Sequence, residues 1–252
     1  MATSLLIDSP IYPLLLGALA GVLGTRIGWR LRHRLALPAA QATLGGLAFV
    51  YGWSHRGAIG GALAVGAWAL GTSLAAIATF RAVPAEMPTR VLGFSSYAGS
   101  MRDWLASGEL LGSSPRGILS RHLRELAAYL AVALVSGNLL AIAMGAVLLN
   151  RMNAWFVELV GAAHDRRVAT LLGWPCWSLT RVLAYVALGA ACAQPWAARL
   201  DHAAPVADVL WLVNLGLLLF VVDITLKIQL SGWYGRRLSA ALAPPGTRPI
   251  ER

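Results

Sequence analysis

Long apolar runs are the feature that most constrains how this chain can fold. Several of them approach or exceed the roughly 20 residues that a helix needs to cross the hydrocarbon core of a bilayer. Of the 252 residues, 58% are hydrophobic and 13% are charged, whereas a soluble domain usually carries about 25% charged residues. The alternating pattern of outer-membrane β-barrel strands is absent. The sequence therefore predicts an all-α, polytopic helical integral membrane protein with five to six spans.

The predicted spans form a single transmembrane domain. They cover residues 11–29, 37–53, 58–80, 126–149, 168–196 and 206–230. The segment 81–125 is too polar to span a membrane and too aromatic for a free linker. It is therefore predicted to lie at the cytoplasmic interface as amphipathic helices. The Pro/Gly-rich tail, 244–252, is predicted to be disordered.

Small residues recur at helical spacing in the first and third predicted spans. They are Gly17, Gly21, Gly24 and Gly28 in the first span, and Ala67, Gly71, Ala75 and Thr79 in the third. Small side chains let helix backbones approach closely in lipid. The first three spans are therefore predicted to form a tightly packed bundle.

The stretch 114–167 is predicted to organise the rest of the chain. Ser114 and Pro115 are typical of a helix start, and no proline follows until Pro175. A single helix over 115–149 would be roughly 50 Å long, which exceeds a hydrocarbon core of roughly 30 Å. Its first turns should therefore project into the cytoplasm.

Those first turns belong to a predicted docking surface for partner proteins or lipid headgroups. Two amphipathic segments, 91–112 and 152–163, are suited to the same role. The first mixes aromatic with charged residues, and the second has an apolar stripe at helical spacing. The predicted docking residues are Arg116, Arg121, His122, Arg124, Trp104, Trp155 and Phe156.

Ionisable and amide side chains inside apolar runs are the candidates for an intramembrane site. They are Arg181, Asp223, Lys227, Asn138 and Asn214. An ionisable group at membrane depth is costly and is usually paired or functional. Asp223 is the predicted partner of Arg181, although Asp223 and Lys227 are also one helical turn apart. Asn138 is predicted to form an interhelical hydrogen bond.

The distribution of positive charge conflicts with a simple topology. With the N-terminus outside, six plain spans place nearly equal numbers of Lys and Arg on the two sides, where a clear cytoplasmic excess is expected. If 168–196 instead enters and leaves on one side, as two half-helices around 177–181, the excess appears. A re-entrant hairpin is allowed only where protein buries its backbone. Both topologies remain open on the sequence.

Sequence motifs for catalysis and cofactor binding are missing. No haem, metal or nucleotide motif is found, and the cofactors are unknown. The basic residues lie mainly at the ends of apolar runs, which indicates anionic headgroups rather than nucleic acid. The expected partners are the lipid bilayer and other membrane subunits, and the expected location is a bacterial inner membrane.

Three functions are compatible with this pattern. The first is a non-enzymatic subunit that acts as a scaffold in a transport, secretion or energy-converting complex. The second is a small permease or channel with a polar path around Arg181 and Asp223. The third is a membrane enzyme acting on lipid at the cytoplasmic interface, for which no nucleophile and base can be named.

Overall fold

The chain is helical throughout the part that its structure describes. The computed structural model describes residue 9, residues 11–107 and residues 114–244, with no strand among them. Five helical segments in this part are long and apolar enough to cross a membrane, so the predicted all-α class is confirmed. The predicted disordered tail after residue 244 and residues 108–112 of the first amphipathic segment lie outside the described residues.

Ten α-helices and one short 3-10 helix occur in the described ranges. They are α1 (Ile11–Arg30), α2 (Ala36–Ala82), the 3-10 helix (Pro84–Glu86), α3 (Met87–Arg90), α4 (Phe94–Ser107), α5 (Pro115–Ser136), α6 (Leu139–Ala162), α7 (Arg166–Leu172), α8 (Cys176–Cys192), α9 (Gln194–Arg199) and α10 (Val206–Leu242). The five apolar segments are α1, α2, α6, the run Arg166–Arg199 and α10.

Helix α2 consists of two limbs that double back on each other. The reversal falls at Arg56 and Gly57, where the backbone leaves helical geometry and Gly57 has a φ of 59°. A side chain at Gly52 would stand 2.5 Å from the carbonyl oxygen of Gly60, so the limbs pack backbone to backbone. The gap between the predicted spans 37–53 and 58–80 therefore coincides with this reversal.

The glycine stripe of α1 packs against both limbs of α2. A Cβ on Gly17 would overlap the Ala64 carbonyl oxygen, and one on Gly21 would stand 2.5 Å from the Thr72 nitrogen, both on the second limb. Further along α1, a Cβ on Gly28 would stand 2.6 Å from the Cα of Leu37 on the first limb. The predicted tight Gly/Ala packing is confirmed, because only glycine permits such approach.

The single helix predicted over 115–149 is wrong. The chain breaks at Gly137 and Asn138, which both adopt left-handed backbone geometry with φ values of 59° and 76°. Glycine tolerates this geometry and asparagine visits it more often than most residues. Helix α5 therefore ends at the break, and α6 returns in the opposite direction, so the two form a hairpin.

The two half-helices considered around 177–181 are also not observed. Helix α8 runs without interruption from Cys176 to Cys192, and the break in 168–196 comes earlier, where Pro175 precedes the first turn. Proline is well suited to a helix start and poorly suited to an interior position. Helix α8 therefore runs the length of the bundle beside α10.

Long helices run between two ends of the bundle that differ in charge. At one end, the amide nitrogen of Asp165 donates to the carbonyl oxygen of Ala241, and the guanidinium of Arg90 donates to that of Trp29. At the opposite end, the indole of Trp53 donates to the His202 carbonyl oxygen. Among the described lysines and arginines, only Arg56 and Arg199 lie at that opposite end. The first end is called the basic end.

Candidate functional site

A partly enclosed cavity of about 520 Å³ lies towards the basic end, between α4, α5, α6, α8 and α10. We call it the basic slot. Its polar lining includes Arg121, His122, Glu125, Arg151, Arg181 and Lys227, and its aromatic lining is Tyr97, Trp104, Tyr129, Trp155, Trp174, Trp177 and Tyr185. The slot therefore brings together charged side chains from four helices that are distant in sequence.

The predicted pairing of Arg181 with Asp223 is present, and the Arg181 side chain lines the slot. Arg181 on α8 donates from Nε to Oδ2 of Asp223 at 2.9 Å and from Nη2 to Oδ1 at 3.1 Å. Asp223 on α10 is completely buried, while the Arg181 side chain is 24% exposed. This two-pronged geometry is the strong form of an arginine–carboxylate pair. Helix α8 packs along α10, which holds the two groups together.

His122 on α5 is the polar centre of the slot and is 1% exposed. Its Nε2 contacts Nη2 of Arg181, and it lies 3.3 Å from Nζ of Lys227. Because both neighbours can only donate, Nε2 must be the acceptor and the proton must sit on Nδ1. Burial and the charges of Arg181, Lys227 and Arg121 lower the pKa of His122 to about 3, so the ring is neutral near pH 7.

The Nδ1–H of this neutral ring has no hydrogen-bond acceptor among the described residues. The nearest carboxylate oxygen, Oε2 of Glu125, is 4.0 Å away, which is beyond hydrogen-bond distance. A buried donor without an acceptor is costly. The slot therefore contains one donor that an incoming acceptor oxygen would satisfy.

Positive charge exceeds negative charge around the slot. Arg181 is neutralised by Asp223, and Arg121 donates to Glu125 at 2.9 Å. Arg151 and Lys227 have no carboxylate oxygen within 4 Å among the described residues. Arg151 instead donates from Nε to the Leu92 carbonyl oxygen at 2.8 Å; its Nη2 packs against Gly93, and its terminal nitrogens have no hydrogen-bond acceptor in the described part of the chain. Two cations in the slot thus lack an ionic partner.

The slot also has an apolar mouth between the arms of the α5–α6 hairpin. Ala128 on α5 and Met144 and Leu148 on α6 line it, and all three are exposed on the outside of the bundle. The opening therefore joins an apolar outer surface to a charged interior. An amphiphile with an acyl chain and an anionic head has the same arrangement of chemistry.

The other predicted polar residues lie away from the slot. Asn138 is buried at the α5–α6 break, and neither side-chain atom has a hydrogen-bond partner within the described chain, so the predicted interhelical bond is wrong. Asn214 is exposed on the outer face of α10. It does not line a path with Arg181 and Asp223.

The predicted docking residues divide into two groups. Arg116, Arg121 and Arg124 are exposed on α5. His122, Trp104, Trp155 and Phe156 are buried in the core of the chain itself. The amphipathic stripe of 152–163 is the last part of α6 and packs internally at the basic end, which leaves the arginines of α5 as the accessible part of the predicted surface.

Two polar features were missed on the sequence. Arg151 was missed because a single helix over 115–149 puts it beyond the far end of that helix, away from Arg121 and His122. A second polar cluster lies in the core, where Gln41 and Asn150 exchange side-chain hydrogen bonds of 2.6 and 3.1 Å and Gln41 also donates to Thr25. A lone glutamine within an apolar run, the signal applied to Asn138, would have identified Gln41.

The described residues contain no group of three His, Cys, Asp or Glu side chains that could hold a metal ion. No family model, curated protein or solved structure matches this chain. The geometry of the basic slot is therefore the basis on which a function is proposed.

Proposed function

We propose that this chain is an integral membrane protein that binds the anionic headgroup of a lipid-like amphiphile in the basic slot. The observation that carries the proposal is the pair of cations without an ionic partner, Arg151 and Lys227, next to an apolar mouth. Enclosing charge without a counter-ion is unfavourable, and an anionic headgroup would offset that cost. Its acyl chain would leave between α5 and α6 and contact the surrounding lipid.

Ligand binding can be followed through tryptophan fluorescence, because four of the slot's aromatic residues are tryptophans. We expect dioctanoyl phosphatidylglycerol, added to the full-length protein in neutral detergent, to change this fluorescence saturably, and dioctanoyl phosphatidylcholine to have little effect. Arg151→Gln removes a charge-assisted hydrogen bond and should weaken binding about tenfold or more. The matched control Arg236→Gln removes an exposed charge outside the slot and should leave binding unchanged. An equal response to both lipids would refute the proposal.

The membrane orientation that we propose has the basic end in the cytoplasm. The concentration of arginine there supports it through the positive-inside rule, and a bacterial inner membrane is the proposed location. In a background without Cys176 and Cys192, we expect Ser54→Cys to react with a membrane-impermeant maleimide from outside intact cells. Ala240→Cys should react only after permeabilisation. The reverse pattern would contradict this orientation.

A non-enzymatic subunit of a transport, secretion or energy-converting complex is our second proposal. It is favoured by the outer face of α5, where Leu119 and Leu123 are exposed beside Arg116 and Arg124. Co-purification of further membrane proteins in mild detergent, lost on Leu123→Glu, would support it, and a partner-free particle would count against it. The permease alternative has less support, because Asn214 faces outward and Arg181 is engaged by Asp223.

A further inference from the structure

The charge and donor pattern of the slot points to one chemical class of headgroup. Resting on the proposed function, we propose that the slot selects a lipid ending in a phosphate monoester over lipids whose phosphate is a diester. A monoester carries close to two negative charges near pH 7 and presents three terminal oxygens. A diester headgroup carries one negative charge and has two unesterified oxygens.

The charge count is the first argument. The two cations without a carboxylate partner, Arg151 on α6 and Lys227 on α10, stand on different walls of the slot. One dianion would balance both, whereas a monoanion would leave one positive charge uncompensated in a partly dry site. The same excess disfavours choline and ethanolamine headgroups, because their cationic nitrogen would be repelled.

The number of available donors is the second argument. The terminal nitrogens of Arg151, the ammonium of Lys227 and the unpartnered Nδ1–H of His122 come from α6, α10 and α5. Three donor groups can serve the three terminal oxygens of a monoester. A volume of about 520 Å³ lies within the roughly 300–1,000 Å³ of typical small-ligand sites and leaves room for the glycerol region behind the phosphate.

A pair of probes that differ by one methyl group tests this inference. Dioctanoyl phosphatidic acid is a monoester, and dioctanoyl phosphatidylmethanol is the corresponding methyl diester. With the full-length protein near pH 7.5, we expect the acid to bind at least about tenfold more tightly, as one additional charge-assisted hydrogen bond implies. Lys227→Met should reduce this ratio to within about twofold, and Arg236→Gln, an exposed position on the same helix but outside the slot, should leave it unchanged.

The results of these binding measurements distinguish the monoester inference from the proposed function on which it rests. Equal binding of the two lipids by the wild-type protein would overturn the monoester inference and leave anionic-lipid binding intact. Failure of both to bind would overturn the proposed function as well. Inorganic phosphate at millimolar concentration should not displace the acid, and full displacement would identify free phosphate as the ligand instead of a lipid. The wild-type ratio is informative even if Lys227→Met does not fold.

Discussion

Asp223→Asn is expected to lower the free energy of unfolding by about 3–5 kcal/mol, because it removes one partner of a buried ion pair. Asp223 is fully buried and accepts both hydrogen bonds from Arg181. The amide cannot neutralise the guanidinium, which would remain in a region that already has a positive excess. Unfolding in SDS, followed by tryptophan fluorescence in mixed micelles, measures the change.

Two comparisons make this result interpretable. Glu158→Gln breaks an ion pair with Arg102, whose Nε and Nη2 both donate to Oε1 and whose side chain is 59% exposed, and should cost about 0–1 kcal/mol. The double variant Arg181→Met with Asp223→Leu should recover much of the loss, since replacing both partners by apolar groups is often close to neutral. If Asp223→Asn costs no more than the control, the pair does not stabilise the fold. A folded variant that fails only in flux would favour the permease alternative.

Local sequence signals were sufficient to predict the all-helical class and the close packing of α1 against its neighbours. A glycine stripe at helical spacing indicates which face of a helix packs closely against another helix, even when the neighbouring helix is not known. The hairpin of α5 and α6 was missed because one Gly–Asn pair within an apolar run resembles ordinary transmembrane sequence. A contact distant in sequence also stabilises the break, since Trp196 lies against Gly137 and its indole donates to the Leu134 carbonyl oxygen at 2.7 Å.

That one error explains the conflict in the charge count. An unbroken helix over 115–149 puts Arg151 and the residues after it at the opposite end of the bundle from the one the structure shows, and a re-entrant segment was then one of the two topologies left open. Because the helix is broken, α8 runs from the basic end to the opposite end without a re-entrant turn. Helix α10 then returns, so its last, arginine-containing turns lie at the basic end.

The candidate site was predictable only in part. The pairing of Arg181 with Asp223 could be predicted because ionisable residues in apolar runs need partners. His122 lies in a segment predicted as an interfacial helix, and Arg151 directly precedes a second amphipathic segment. Their inclusion in the slot depends on how α5 and α6 close over α8, which no local pattern specifies.

Gly71→Ala is expected to destabilise the protein by about 3 kcal/mol or more, through overpacking that rotamer changes cannot relieve. Gly71 lies on the second limb of α2, and its Cβ would overlap the carbonyl oxygen of Ala18 on α1. The contact is with backbone, so the helices must separate. Because α1 also carries Gly17 and Gly21 against the same limb, separation at one point loosens the whole contact.

Gly66→Ala is the matched control, since it makes the same change on the same limb. The nearest atom to its Cβ would be Cγ1 of Val186, at 4.0 Å, an ordinary van der Waals distance. Alanine favours a helix over glycine by about 1 kcal/mol, so Gly66→Ala should be neutral or slightly stabilising. In SDS unfolding, Gly71→Ala should therefore clearly lower the free energy of unfolding. Gly66→Ala should leave it unchanged or raise it slightly. Equal destabilisation by both would mean that helix propensity or lipid contact, and not the close approach of α1 to α2, determines the cost of substituting these glycines.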